Sequence, residues 1–301
     1  VLNKEISQSE ITKTSLDYLE IAFSSHCNLA CRMCGPHFSS KWHAIKKHYD
    51  INDDEDNVSY ELDIENFNLD LSKLERIKIV GGEPLLAKEH DQFIQKLLDS
   101  GNNLENLEIT YHTNGTVLPN KKVLDFWKKI KKVILTISID GYGERNNYLR
   151  PGQIGWDTIE KNMKYYIELS KETNHKIELS THTVVSRLNV LRLQELNSWF
   201  VDLGLPLTKN AIHTFDVLAW PQSMTLERIS NSDKKIVLKY LNNMMEENKK
   251  VIFRKSIPRL LGILSKPTDN ESVITLEEVA EEMKMFDDYF NVDFNDLEDI
   301  I

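Results

Sequence analysis

Only three cysteines occur in 301 residues, and all of them fall in one short segment, at Cys27, Cys31 and Cys34. So few thiols, set so close together, cannot staple a fold, which excludes the disulfide-rich secreted class. Long apolar runs are also missing: no stretch approaches the roughly 18 residues of a membrane span, and Val1-Leu2-Asn3-Lys4 opens no signal-peptide pattern. A soluble chain is therefore expected. Positive charge is scarce, with 37 Lys and Arg against 47 Asp and Glu, a formal net charge of −10. That balance argues against a general nucleic-acid binder, which needs cations against phosphates. The local basic run Lys121, Lys122, Lys128, Lys129, Lys131 and Lys132 reads as the solvated face of a helix around Leu124 and Trp127. With 41% hydrophobic residues in 35.0 kDa, the chain has enough apolar material for one large domain and an extension.

The cysteines are spaced x3 then x2, in a loop after the alternating Leu19, Ile21 and Phe23 of an expected strand. Three thiolates on one loop can wrap a face of a four-iron cube and leave one iron that no cysteine reaches, a place for a ligand. Alternatively His26 or His37 joins them in a Cys3His zinc site, since Cys34-x2-His37 has ligand spacing. The segment by itself supports both readings.

Further signals stand at expected strand ends. Gly81-Gly82-Glu83-Pro84 follows Ile77–Val80, Thr113-Asn114-Gly115-Thr116 ends another strand, and Ser138-Ile139-Asp140-Gly141 ends a third. Singly these are ordinary turn residues. Glycines at 81 and 82 let a backbone approach a ligand closely, and a carboxylate at Glu83 can accept hydrogen bonds from an ammonium group. Taken in order with CNLACRMC, the four segments resemble the radical S-adenosylmethionine (SAM) superfamily, with its CxxxCxxC loop and GGEP, TNGT and SIDG motifs. The resemblance runs from about Tyr18 to Asp216. More narrowly, CRMCGPHFSSKW is similar to the SPASM- or twitch-like subgroup, and TNGT and SIDG look like those of peptide-modifying members.

The resemblance implies an α/β fold, a partial (β/α)6 TIM-like barrel. It implies a [4Fe-4S] cluster on Cys27, Cys31 and Cys34, and SAM chelating the open iron through its amino and carboxylate groups. One electron would cleave SAM to methionine and a 5′-deoxyadenosyl radical, which abstracts a substrate hydrogen. By the same resemblance Glu83 meets the SAM ammonium, with Gly81, Gly82 and Asn114 in the same cofactor site. Ser138 hydrogen-bonds the ribose, Arg150 sits near the carboxylate or ribose, and Val185 lines the adenine. A donor such as flavodoxin or ferredoxin would supply the electron, and an oxygen-sensitive cluster implies a reducing cytoplasm. Auxiliary-cluster members carry later cysteines, and here none follows Cys34. One cluster is expected, and methylthio transfer and two-cysteine methyl transfer are disfavoured. The leading function is hydrogen abstraction from a peptide or protein side chain. Chemistry on a nucleotide, sugar or other small metabolite is the alternative, followed by a zinc-stabilised binding protein and a member that has lost turnover.

Alternating apolar strands and amphipathic helices indicate parallel βα units. Strands are expected near 18–25, 75–81, 106–113, 132–139, 176–184 and 209–215, and helices near 36–48, 88–100, 120–130, 156–170 and 190–203, with Gly101 and Gly204 as C-terminal stops. Residues 50–70, rich in Asp, Glu and Asn, read as an exposed insertion. Strand alternation puts Glu108, Thr110 and His112 on one phase, Thr136, Ser138 and Asp140 on another, and Glu178, Ser180 and His182 on a third, against apolar opposite faces. A polar barrel interior follows, with His112, Glu178 and His182 as candidate substrate-site residues or as groups that satisfy one another. Residues 1–216 make the expected barrel and 217–301 a mostly helical extension. Its acidic end places Val279, Met283, Phe286 and Phe290 on one helix face, as a helix packed across the barrel or a surface for a basic partner.

Overall fold

The computed structural model describes residues 16–51, 60–205, 213–247 and 252–301. Strands β1 (Tyr18–Ala22), β2 (Arg76–Val80), β3 (Glu108–Thr113), β4 (Lys132–Ser138), β5 (Ile177–Val185) and β6 (His213–Val217) form one parallel sheet in sequential order. Every neighbouring pair is parallel, and β1 and β6 are the two sheet edges. Parallel pairing of consecutive strands requires a crossover on one side each time. The result is the partial (β/α)6 barrel, open between its first and last strands. The crossover helices are α1 (Ser40–His48), α2 (Lys88–Asp99), α3 (Lys121–Trp127), α4 (Glu144–Leu149), α5 (Trp156–Glu172) and α6 (Leu193–Asp202). Of the expected strand near 209–215, residues 209–212 lie outside the described residues.

Strand alternation divides the sheet into two environments. Ile21, Ile77, Ile79, Ile109, Tyr111, Val133, Leu135 and Leu179 are buried against the helices, where Phe93, Ile94, Leu97, Met163 and Phe200 meet them. Each such side chain contributes roughly 1.5–3 kcal/mol by leaving water. The opposite phase is polar, as alternation predicts. Register places Glu20 beside Lys78, Thr136 beside Ser180, and Ser138 beside His182. Helix ends follow local rules: the Asn120 side chain accepts from Val123 N–H at 2.9 Å, and Gly101 and Gly204 take positive φ just past α2 and α6.

Several expectations change here. Of residues 50–70, those at 52–59 lie outside the described residues; most of the remainder is exposed, as expected, but it is tied to the barrel at a few points. Tyr60 C=O accepts from Ser25 N–H at 3.1 Å, Leu62 N–H donates to Phe23 C=O at 2.7 Å, and Ile64 is buried. Ile64 enters the core from among the acidic residues, and Leu71 follows it just beyond the segment. The basic run also divides. Lys132 opens β4 on the lumen phase and pairs with Glu178 at 2.7 Å, instead of extending the helical face. Val185 is fully buried in the outer core, one residue out of phase with the lumen, whereas Val184 has the inward phase. The short α4 after SIDG had no distinct sequence signal.

After β6 come α7 (Asn231–Glu247), α8 (Ile257–Leu264) and α9 (Leu276–Phe290). Val237, Leu241, Leu260 and Leu264 join the same core as the sheet. The extension therefore shares the apolar core outside the sheet. On α9, Val279, Met283 and Phe286 are buried and Phe290 is half-buried, while Glu277, Glu281 and Glu282 face solvent. Among the described residues, no helix is long and apolar enough to cross a membrane.

Candidate active site

The cysteine loop leaves the C-terminal end of β1 and is held in place by backbone contacts. Ala30 N–H donates to Pro151 C=O at 2.8 Å and Arg32 N–H to Leu149 C=O at 2.9 Å, so residues 30–32 run against 149–151. A Cβ on Gly152 would lie 2.7 Å from Asn28 O, which explains glycine there. The Ser39 hydroxyl donates to Leu29 C=O at 2.5 Å while capping α1 through Lys41 N–H. Cys34 N–H closes a turn on Cys31 C=O at 2.9 Å.

The GGEP motif serves this loop. Gly82 N–H donates to Ser24 C=O at 3.0 Å and Glu83 N–H to His26 C=O at 2.7 Å. A Cβ on Gly82 would stand 2.2 Å from His26 O, so the close approach that the glycines permit is to the start of the cysteine loop. Gly81, at φ +111, turns the chain beside Tyr60. Glu83 is almost fully buried. Its carboxylate accepts from Thr113 Oγ1 at 2.9 Å, Asn114 N–H at 2.7 Å and Leu85 N–H at 3.2 Å. Burial pushes its carboxyl up to about 6, against the lowering pull of those donors and of Arg150. These contacts make Glu83 the fastener between the GGEP and TNGT segments.

Asn114 extends that fastening to the cysteines. Its Nδ2 lies 3.7 Å from Cys27 Sγ and 2.9 Å from Asn28 Oδ1, while its Oδ1 accepts from Thr116 N–H at 2.9 Å. Asn28, within CNLAC, donates to Thr116 Oγ1 at 2.8 Å and was not singled out in the sequence. Asp140 was likewise read only as a turn residue on the inward phase. It accepts from Arg150 Nη1 at 2.7 Å and from Val184 N–H at 2.7 Å. Arg150 is thereby aimed where its charge acts on Cys31 and Cys27 and on Glu83. Ser138 is half-buried at the inward end of β4.

The lumen candidates separate into two groups. His112 and His182 lie close enough for their charges to interact; burial first, then Lys78 and His182, lowers the His112 pKa to about 4. His182 Nε2 is 3.1 Å from Asp216 Oδ2, and Arg259 reaches the other oxygen. Glu178 stands two inward positions before His182 on β5, toward the N-terminal end of the strand. There its carboxylate is buried in the pair with Lys132, so its partner is that lysine and not the histidines.

The residues fit an iron–sulfur cluster. Burial raises all three thiol pKa values, and most strongly that of Cys31. A desolvated thiolate triad needs local positive charge, which bound iron supplies. Among the described residues, no group of three or more His, Cys, Asp or Glu is set to hold a single metal ion, and His26 lines a separate cavity with Tyr60 and Glu61. In a cluster each of the three thiols would bind a different iron. Arg150 Nε is buried with no acceptor, an unused donor that fits an anionic ligand group.

These features agree with comparison to known proteins. The model of the Radical SAM superfamily matches residues 21–187, and the chain belongs to that superfamily of enzymes, whose cofactors are a [4Fe-4S] cluster and SAM. The GTP 3′,8-cyclase of Nautilia profundicola is 30% identical over 117 residues, 38% of this chain and 31% of that protein. The tungsten-containing aldehyde ferredoxin oxidoreductase cofactor-modifying protein of Pyrococcus furiosus is 24% identical over 212 residues, 66% of this chain and 54% of its own length. Across these two the match spans about a third to a half of the relative. Among solved structures, the histidine-tagged form of anSMEcpe with bound AdoMet has a TM-score of 0.50 at 22% identity, covering 78% of this chain and 59% of that one. Its likeness is one of fold.

Proposed function

We propose that this protein cleaves SAM reductively at a cluster held by Cys27, Cys31 and Cys34 and directs the 5′-deoxyadenosyl radical to a carbon-bound hydrogen of a peptide or protein side chain. The observation that carries the reading is the docking of the cysteine loop on residues 149–151, with Arg150 held by Asp140 beside the thiols. The cluster supplies the electron for sulfonium cleavage. Arg150 would bind the SAM carboxylate with its remaining donors, and Ser138 would take the ribose. Glu83 and Asn114 keep the thiol loop and the TNGT turn in register. Val184 takes the adenine-side position first given to Val185.

The lumen receives the substrate, with His112 as a neutral hydrogen-bonding group and His182 oriented by Asp216. Among the described residues, the lumen-phase Lys78 and Lys132 already pair with Glu20 and Glu178. The likeness of TNGT and SIDG to those of peptide-modifying members favours a peptide over the GTP named for several relatives. A flavodoxin- or ferredoxin-type donor and a reducing cytoplasm complete the reading.

The test is anaerobic reconstitution followed by dithionite reduction. The chain should take up about four irons and four sulfides, lose them in Cys31→Ala, and release 5′-deoxyadenosine from SAM. Peptides encoded beside the gene should accelerate that release. Acceleration by GTP alone would transfer the substrate assignment to the nucleotide class, and tightly bound zinc without iron uptake would remove the enzyme reading.

A further inference from the structure

Arg32 lies between two of the thiol ligands, and its side chain runs away from them into the C-terminal extension. Arg32 is 1% exposed. Its Nη2 donates to Asp287 Oδ1 on α9 at 2.6 Å and its Nε to Tyr148 C=O at 2.7 Å; Nη1 is 3.6 Å from Met283 Sδ, and the guanidinium carbon lies 3.7 Å from the Tyr148 ring centroid. Asp287 uses its other oxygen to accept from Phe294 N–H at 2.8 Å, beyond the end of α9. A second bracket stands beside the first. Trp42 Nε1 donates to Cys31 C=O at 3.2 Å, and the Trp42 ring meets Phe286 of α9 edge-on, with centroids 4.6 Å apart.

Helix α9 therefore grips the Cys31–Cys34 turn twice, through the residue after Cys31 and through the carbonyl of Cys31 itself. An apolar face of Val279, Met283 and Phe286 is sufficient to pack the helix. A buried ion pair adds little stability over apolar residues of the same volume, but it imposes one register. Arg145 and Arg187 also hold the C-terminal segment, yet they do so at Glu298 C=O and at Ile274 and Ile301 C=O, away from the cysteine loop. We infer that α9 is a clamp on the cluster loop, with Asp287 and Arg32 as positioning residues that keep Cys31 and Cys34 in ligand geometry. The inference rests on the reading that these thiols hold the cluster.

The experiment measures iron release from the full reconstituted chain to a ferrous chelator under native conditions, beside thermal unfolding of the same samples. Asp287→Asn keeps shape but removes the charge and leaves one acceptor for two donors, Arg32 and Phe294 N–H, and it should speed iron release about tenfold or more while the chain stays folded by circular dichroism. Arg187→Met loosens the same segment elsewhere; it should lower the melting temperature yet leave iron release within about twofold of wild type. Phe286→Leu keeps the ion pair, weakens the Trp42 bracket, and should speed release about threefold, so it reads the clamp even where Asp287→Asn does not fold. Unchanged release in Asp287→Asn and Phe286→Leu, or equal acceleration in Arg187→Met, overturns the clamp. A wild-type chain that binds no iron overturns the cluster reading itself, an outcome visible before any variant is compared.

Discussion

Thr113 Oγ1 stands 2.9 Å from each carboxylate oxygen of Glu83, which fastens the end of β3 to the segment after β2. The same carboxylate accepts from Asn114 N–H, and Asn114 in turn reaches Cys27 and Asn28. One buried acid thus connects three motifs that are far apart in sequence. Glu83→Ala should cost about 1–3 kcal/mol or more by leaving buried donors without an acceptor, and chemical denaturation measures it. Because burial raises the Glu83 carboxyl to about 6, its folded form holds a proton more tightly than the unfolded chain. Its contribution is fully present below about pH 4.5 and is lost as pH rises through about 6, a change of roughly 2 kcal/mol. Glu83→Gln should remove that component from the stability-versus-pH curve.

His112 gives the opposite slope. Its pKa is lowered to about 4, chiefly by burial, so the unfolded chain binds the proton better between about pH 4 and 6.5. Stability present above pH 6.5 is lost as pH falls through that window. Allowing for the solvent that reaches the ring, His112 should account for about 1–2 kcal/mol. His90, also lowered to about 4, remains in the variant, so the difference between wild type and His112→Gln isolates this residue. Ring-proton titration by NMR should place the His112 midpoint near 4, and a midpoint near 6.5 would contradict its place in the lumen.

Two glycines offer a matched comparison. An alanine Cβ at position 82 would meet His26 O at 2.2 Å, whereas one at Gly35 meets nothing within 4 Å. Gly82→Ala should lose about 1–3 kcal/mol or more and bind less iron per folded chain. Gly35→Ala should stay within about 0.5 kcal/mol. Urea unfolding with iron analysis checks both, and equal effects would argue against the backbone contact between GGEP and the cysteine loop.

Lys132 and Glu178 form a largely buried pair at 2.7 Å, with side-chain exposures of 17% and 8%. Lys132→Met alone should cost about 3–5 kcal/mol by stranding the acid, and Lys132→Met with Glu178→Leu should recover most of it. Folded Glu178→Gln should keep substrate-dependent release of 5′-deoxyadenosine. Loss of that dependence without loss of stability would return Glu178 to the substrate site.

The sequence by itself determined the parallel βα order, the polar lumen phase and the candidate cluster ligands. Those depend on local periodicity and on three thiols gathered in one segment, both of which are readable along the chain. Tertiary structure alone decided that Glu83 faces Thr113 and that Lys132 pairs with Glu178. It also decided that Arg32 meets Asp287, a contact across 255 residues. A charge pattern says that a residue is polar; only the crossing of elements determines which buried partner satisfies it, because buried charges must be paired wherever the fold brings their partners.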